Sequence, residues 1–170
     1  MSVLLRSELD LARHAFIAAH GRLQSDLASR DVGRWYASLG ECLWWIFALD
    51  EHYSHTKGDA YRNFRDKDPH GECIPGLRLA RNRVGHQIAL MLEDPSAPIL
   101  LPGPATPKQG IDLEQQRWRR YEDLPPADAG KERPQPTAIY KSHLSGRAAR
   151  YAIRHANYFF VRRQACIDSL

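Results

Sequence analysis

The sequence lacks an apolar run long enough to cross a membrane, since no stretch of about 18 consecutive apolar residues occurs in it. Near its start, Glu8 and Asp10 stand where a secretory signal peptide needs an uninterrupted apolar stretch. Cysteine is also scarce, and the three cysteines are too widely spaced for a disulfide framework or a CxxC metal site. These absences favour a cytoplasmic protein that has no membrane partner.

Neither sign of charge dominates the chain. It has 24 lysines and arginines against 20 acidic residues, a formal net charge of +4, which permits an anionic partner but does not require one. Hydrophobic residues make up 43% and charged residues 26%, the balance of a globular protein. A chain of 170 residues is long enough to bury its own core, so we predict a single domain over residues 1–170.

Four segments have the three- and four-residue apolar spacing of amphipathic helices. They run from Val3 to about Ser29, from Arg34 to about His55, from Ile74 to Leu92, and from Ser142 or Ser145 to about Ile167. Residues 59–66 favour a further short helix after Gly58. The sequence therefore predicts an all-α fold, an up-and-down bundle of about four main helices.

The second of these helices has few polar positions around its circumference. A helix that is apolar on most sides is central to a bundle or shared with a second chain, which favours a homodimer. We expect Cys42 in the core and Trp44 and Trp45 in the core or a dimer contact. Glu41, within this apolar run, needs a partner, and Arg81 is the candidate.

Nine of the eleven prolines lie between Pro95 and Pro136, where apolar periodicity disappears. We interpret this stretch as an irregular insertion at about 93–138 with little to bury, holding either a hairpin near Leu100 or a helical turn around 113–121. Basic and aromatic residues alternate at 117–121. That composition suits a segment that binds single strands, and equally an arm that packs on its own domain.

The third helix carries an unusual polar cluster. Arg81 lies at the edge of the apolar stripe, where it must extend to solvent or be paired. Asn82 and His86 are four residues apart, so they are neighbours on one face. Gly85 beside them removes a side chain at a cost to helix stability, which is explained if another backbone or a ligand approaches closely.

The segment RNRVGH, Arg81 to His86, resembles the R-x4-6-H motif of HEPN domains, in the form where a polar residue follows the arginine. The resemblance covers residues 3–92 and 142–170; the insertion has no counterpart in it. It implies a metal-independent endoribonuclease without a cofactor that acts as a homodimer, in a family rich in toxins and anti-phage effectors with antitoxin or regulatory partners. Arg81 and His86 would then be the catalytic pair, with Asn82 in support.

The residue types suit that chemistry. RNA carries its own nucleophile, the 2′-OH, so proton transfer by histidine and charge stabilisation by arginine are sufficient. Two alternatives remain open: a catalytically inactive helical module that binds RNA, nucleotide or protein, and a helical regulator whose insertion docks a partner. Glu51, His52 and His55 imitate a metal cluster, but no further ligand is identifiable.

A second candidate RNA contact lies near the C-terminus. Between Pro134 and Ile167 there are six lysines and arginines and no acidic residue. Arg147, Arg150 and Arg154 follow helical spacing, which suits a phosphate backbone, with Tyr151 or Tyr158 available for stacking. A solvated polar face is the alternative. Arg78, one turn before Arg81, is also predicted to contact RNA.

Overall fold

The computed structural model describes residues 7–27, 31–87, 91–93, 116–127 and 133–170. Most of these residues are helical, and the described part of the chain contains isolated β-bridges but no strand. The main elements are α1 (Glu8–Asp26), α2 (Val32–Lys67), α3 (Ile74–Gln87), α4 (Pro134–Ile139), a π-helical turn (Tyr140–Leu144), α5 (Ala149–Arg162) and α6 (Gln164–Asp168). The predicted all-α fold is confirmed. Within these residues, no helix combines the length and the apolarity needed to span a bilayer.

Helix α1 begins at a capped N-terminus. The Ser7 hydroxyl accepts a hydrogen bond from the Asp10 backbone N–H at 3.2 Å, which satisfies one of the donors that a helix start leaves open. Phe16, Ala19 and Leu23 form the buried face of α1. This face packs on α2 and α5, as its spacing predicted.

Helix α2 is longer than predicted. The Asp31 carboxylate caps its start by accepting from the Arg34 N–H at 3.1 Å. Gly58 interrupts the helix with φ 59° and ψ −133°, a conformation that strongly favours glycine. The interruption is where the sequence predicted an end, but it is a kink, and the helix continues to Lys67. The predicted short helix at 59–66 is thus the second half of α2.

Helix α3 is shorter than predicted, ending at Gln87 instead of Leu92. Leu92 is extended and forms an antiparallel bridge with Trp118. The Arg119 N–H donates to the Met91 carbonyl and the Glu93 N–H donates to the Arg117 carbonyl, both at 2.9 Å. Met91 and Leu92 are both fully buried. Apolar residues at these two positions are therefore explained by burial in this pairing and not by a helix.

The described end of the insertion belongs to the core. Trp118 is fully buried, its ring lies 6.4 Å from the Tyr140 ring, and its backbone N–H donates to the Arg147 carbonyl at 2.9 Å. The prediction that the insertion has little to bury is therefore wrong for Trp118, and residues 117–121 act as a packing arm. A 3-10 turn at Tyr121–Asp123 lies at the end of the predicted helical turn. The predicted hairpin near Leu100 lies outside the described residues.

The predicted last helix is divided into several pieces. Ser145 is not the predicted N-cap: it follows the π-helical turn, and its hydroxyl accepts from the Tyr121 N–H at 3.1 Å. Ser142 lies within the π-helical turn. Gly146, with φ 68°, turns the chain before α5. The π-helical turn packs tightly on α3: a Cβ added at Gly76 would lie 2.9 Å from Leu144 Cδ1.

Helix α5 completes the core. Its buried residues are Ala149, Ala152, Ile153, Ala156, Phe159 and Phe160. The Phe160 ring lies edge-on to Phe16 at 6.0 Å and stacks on Tyr53 at 6.4 Å, which joins α1, α2 and α5. Cys42 is buried as predicted, and burial raises the pKa of its thiol.

Candidate functional site

An open cleft of about 970 Å³ lies between α2, α3 and the chain around α4. Phe47 and Leu79 contribute apolar wall, and Pro134–Pro136 close the opposite side. Most of its charged side chains are basic, namely Arg62, Arg65, Arg78, Arg83 and Arg133. A volume of this size accommodates a ligand of several hundred cubic ångströms, and the arginines favour an anionic one.

Two of the predicted catalytic residues line this cleft. Asn82 and His86 are both exposed and stand one turn apart on α3. Gly85 beside them faces open space, since an added Cβ would have no neighbour within 4 Å. The predicted notch is therefore present, and the described part of this chain does not fill it.

Arg81 lies at the edge of the cleft instead of inside it. Its guanidinium carbon is 4.5 Å from the centre of the Phe47 ring and 5.0 Å from the Trp44 ring. Its Nη1 donates to the Asn82 Oδ1 at 3.2 Å. Arg81 thus has two aromatic faces and an amide as its partners. None of these three groups carries a negative charge that would offset that of the guanidinium.

Glu41 does not pair with Arg81, so the predicted supporting role for Glu41 is wrong. Helix α1 packs along α2 and brings Arg22 opposite Glu41, whose Oε2 accepts from Arg22 Nε at 3.2 Å. The two side chains keep 52% and 41% of their exposure. This is a surface ion pair away from the cleft lining.

Sequence analysis missed a buried ion cluster beneath the cleft, formed by Asp50, Arg65 and Arg78. Asp50 is fully buried, and its carboxylate accepts from Arg65 Nη1 at 2.8 Å and Arg78 Nη1 at 3.0 Å. The Tyr61 hydroxyl donates to the same carboxylate at 2.9 Å. Burial, and then the Asp50 charge, raise the pKa of Tyr61 well above its usual value. Burial by itself would lower the pKa of Arg65, but Asp50 outweighs it and the net pKa is raised.

Arg78 was predicted to contact RNA, but two carboxylates of the protein already pair with its guanidinium. Besides Asp50, it contacts Glu51 Oε2 through Nη2 at 3.0 Å, and its guanidinium carbon lies 4.9 Å from the Phe47 ring. These partners offset its charge and fix its orientation. Arg78 therefore shapes the wall of the cleft next to Asn82.

Arg83 attaches the insertion to the same wall. Its side chain is only slightly exposed, at 4%, and its Nη1 donates to Gln87 Oε1 and to the Pro125 carbonyl. The Gln87 amide donates to the Pro126 carbonyl at 3.3 Å. Residues that follow the Pro-rich stretch thus extend the cleft beyond the end of α3.

The remaining predicted RNA contacts lie elsewhere. Arg147 and Arg154 are exposed, and Arg150 is half-buried in the first turn of α5. None of the three lines the cleft. The structure therefore separates the predicted basic residues into the cleft and an independent surface formed by α5 and the bend before it. Among the described residues, no group of three or more histidine, cysteine or acidic side chains is placed to hold a metal ion.

No known protein family, curated protein or solved structure matches this chain. The resemblance to HEPN domains therefore stays a prediction from the RNRVGH segment.

Proposed function

We propose that this protein is a metal-independent endoribonuclease that acts as a homodimer with a composite arginine and histidine site. One observation carries the proposal: Asn82 and His86 open side by side into a large cleft whose charged walls are mainly arginine. An imidazole and an amide that face such a cleft suit phosphodiester chemistry better than a purely structural role. The family resemblance adds that such an enzyme serves as a cytoplasmic toxin or anti-phage effector with an antitoxin or regulatory partner.

The reaction needs only groups that the chain supplies. One His86 takes the proton from the ribose 2′-OH, and the 2′-oxygen attacks the adjacent phosphorus. The P–O5′ bond breaks, and the second copy of His86 gives a proton to the departing 5′-oxygen. The products are a 2′,3′-cyclic phosphate and a free 5′-OH. Arg81 stabilises the charge that develops on the phosphoryl oxygens.

The dimer supplies the second histidine. Trp44 keeps 51% of its exposure although it stands beside Arg81, and Gly85 leaves an open surface on the neighbouring helix. A second copy that covers Trp44 would bring two copies of the Arg81–His86 segment together. An exposed tryptophan is common at the centre of protein interfaces.

A binding module that lacks catalytic activity is the second candidate. It is favoured by the position of Arg81, which is held against Trp44, Phe47 and Asn82 at the edge of the cleft. In a binding module Arg81 would keep those contacts when RNA is present, and the RNA would leave the protein uncut.

Cleavage of a labelled single-stranded RNA without added metal separates the two candidates. We expect the wild-type protein to give 2′,3′-cyclic phosphate ends in the presence of EDTA, and His86→Ala to lose at least about 100-fold in rate. His55→Ala is the matched control, because His55 is an exposed histidine on α2 that does not line the cleft. Cleavage that survives His86→Ala, or that EDTA removes, would exclude the proposed mechanism.

The dimer is tested by sedimentation at micromolar concentration. We expect a homodimer, and Trp44→Glu should yield a monomer that no longer cleaves RNA, because it places a charge at the centre of the contact. A wild-type monomer that still cleaves RNA would contradict the composite site.

A further inference from the structure

Four rings form a continuous row on the outer side of α5, which we name the ring ladder. In order they are Tyr151, His155, His70 and Tyr158. Neighbouring ring centres lie 4.1, 4.8 and 4.2 Å apart. Three of the rings come from α5 and the fourth from the turn before α3, where the His155 Nδ1–H donates to the Pro69 carbonyl at 3.0 Å. The turn and the helix therefore hold the ladder in place together.

The two ends of the ladder face solvent. Tyr151 keeps 39% of its exposure and Tyr158 keeps 43%, whereas the two histidines between them are half-buried. The opposite side of α5 is in the core, so the helix needs neither tyrosine for packing. Neighbouring rings of the ladder are tilted by 38° to 52°, so they are in contact without being stacked. The two exposed tyrosines at its ends form a platform on which further rings can stack.

The surface around the ladder is basic. Arg154 and Arg162 are exposed on α5 and share the helical spacing of the two tyrosines, at steps of three and four residues. Arg147 is also exposed but lies in the bend before the helix. The acidic residues on the packed turn are already engaged: Asp68 pairs with Arg163 at 3.1 Å and Glu72 with His143 at 3.4 Å. Arginine beside each exposed tyrosine complements a strand that carries phosphates between its bases.

We propose that the ring ladder and its flanking arginines bind single-stranded RNA. Bases stack on Tyr151 and Tyr158, and the neighbouring phosphates contact Arg154 and Arg162. The choice of RNA over DNA rests on the function proposed for the cleft, while the stacking and charge contacts depend only on a single strand. The ladder thus binds the RNA on a surface that lies outside the cleft.

Binding is measured by fluorescence anisotropy with a labelled 12-nucleotide single-stranded RNA, using full-length protein in which His86→Ala prevents cleavage. In that background, we expect Tyr151→Ala with Tyr158→Ala to weaken binding at least about tenfold, because stacking contributes most of the contact of each base. Tyr151→Phe with Tyr158→Phe keeps both ring faces and should bind like the parent. Leu11→Ala is the matched control, since it removes an equally exposed apolar side chain from α1.

The salt dependence tests the arginines separately. Removing Arg154 with Arg154→Gln should lower the slope of log affinity against log salt by about 0.7, the value for one phosphate of a single strand. The same titration with a duplex RNA of equal length should show no loss on removing the tyrosines, because paired bases do not present their faces. A single-stranded DNA of the same sequence shows whether the platform needs ribose.

The outcomes distinguish this inference from the function proposed for the cleft. If the double tyrosine-to-alanine protein binds single-stranded RNA within threefold of the parent, or if the parent does not bind it, the ladder is not an RNA platform, whether or not the wild-type protein cleaves. If binding falls as expected and wild-type protein leaves RNA uncut, the platform stands and the ribonuclease proposal fails.

Discussion

Arg78 and Arg81 are one helical turn apart on α3 and both contact the Phe47 ring, yet their polar partners differ. Arg78 joins the ion cluster, where Asp50 and Glu51 offset its charge. Arg81 also rests on Trp44, and it donates a hydrogen bond to the side-chain amide of Asn82. Where carboxylates pair with an arginine, as at Arg78, its charge is offset and the side chain stabilises the fold. Where only rings and an amide contact it, as at Arg81, its charge can still attract a phosphate.

The two environments also differ in what they contribute to stability. A buried ion pair returns little net free energy over apolar packing, but removing one partner leaves a buried charge uncompensated at a large cost. A guanidinium on an exposed aromatic face contributes a modest amount that does not depend on a single partner. Substitutions in the ion cluster should therefore change stability, and substitutions beside Trp44 should mainly change activity.

The largest expected effect is that of Asp50→Ala. It removes the shared carboxylate of Arg65 and Arg78, and we expect the free energy of unfolding to fall by about 3–5 kcal/mol, measured by urea denaturation. Asp59→Ala is the control, because Asp59 pairs with Arg62 at the surface with 87% of its side chain exposed, and should cost under about 1 kcal/mol. Should Asp50→Ala not fold, Asp50→Asn is measured instead. If Asp50→Ala and Asp59→Ala lower the free energy of unfolding equally, the buried ion cluster contributes no more to stability than an exposed ion pair.

An intermediate effect is expected for Arg81. Arg81→Ala loses both aromatic contacts, which should lower the free energy of unfolding by about 1 kcal/mol, and it should abolish cleavage. Arg81→Lys keeps a cation on Trp44 and should retain nearly all of that stability. Lysine lacks the planar fork that contacts two phosphoryl oxygens, so the rate of RNA cleavage should still fall strongly. Full cleavage by Arg81→Lys would show that only the charge at this position matters.

The smallest effect is expected for Glu41→Gln. Its ion pair with Arg22 is half-exposed, so the loss should be about 0.5 kcal/mol or less in the same urea titration. Cleavage of the labelled RNA should be unchanged, because Glu41 touches neither Arg81 nor the cleft lining. A marked loss of cleavage by Glu41→Gln would instead support the role that was predicted for Glu41 from the sequence.

The helices that the sequence predicted well are those whose apolar spacing is regular and whose ends carry local signals. The Asp31 cap and the Gly58 interruption are of this kind, whereas the Ser7 cap was missed and the first helix was predicted from Val3. The end of α3 could not be predicted, because Leu92 is buried by pairing with Trp118, a residue far along the chain. Apolar spacing alone does not distinguish the last turn of a helix from an extended segment covered by another part of the protein.

Only part of the candidate site was predicted, and the rest was missed for a similar reason. The positions of Asn82 and His86 on one face of α3 follow from helical geometry, but the opposite wall of the cleft comes from Pro134–Pro136. The ion cluster did leave a signal that could have been used. Asp50 stands four residues after Ile46 and three before Tyr53, both fully buried apolar residues. An aspartate at that spacing indicates a buried carboxylate with cationic partners.

The bridge between Leu92 and Trp118 has a consequence for how the insertion can change. It brings together two buried residues that are far apart in the sequence. The entropy lost in closing a flexible segment grows only with the logarithm of its length, at about 0.6 kcal/mol for each doubling. Adding or removing residues between the two bridge positions should therefore change the free energy of unfolding little, as long as the buried pair is kept.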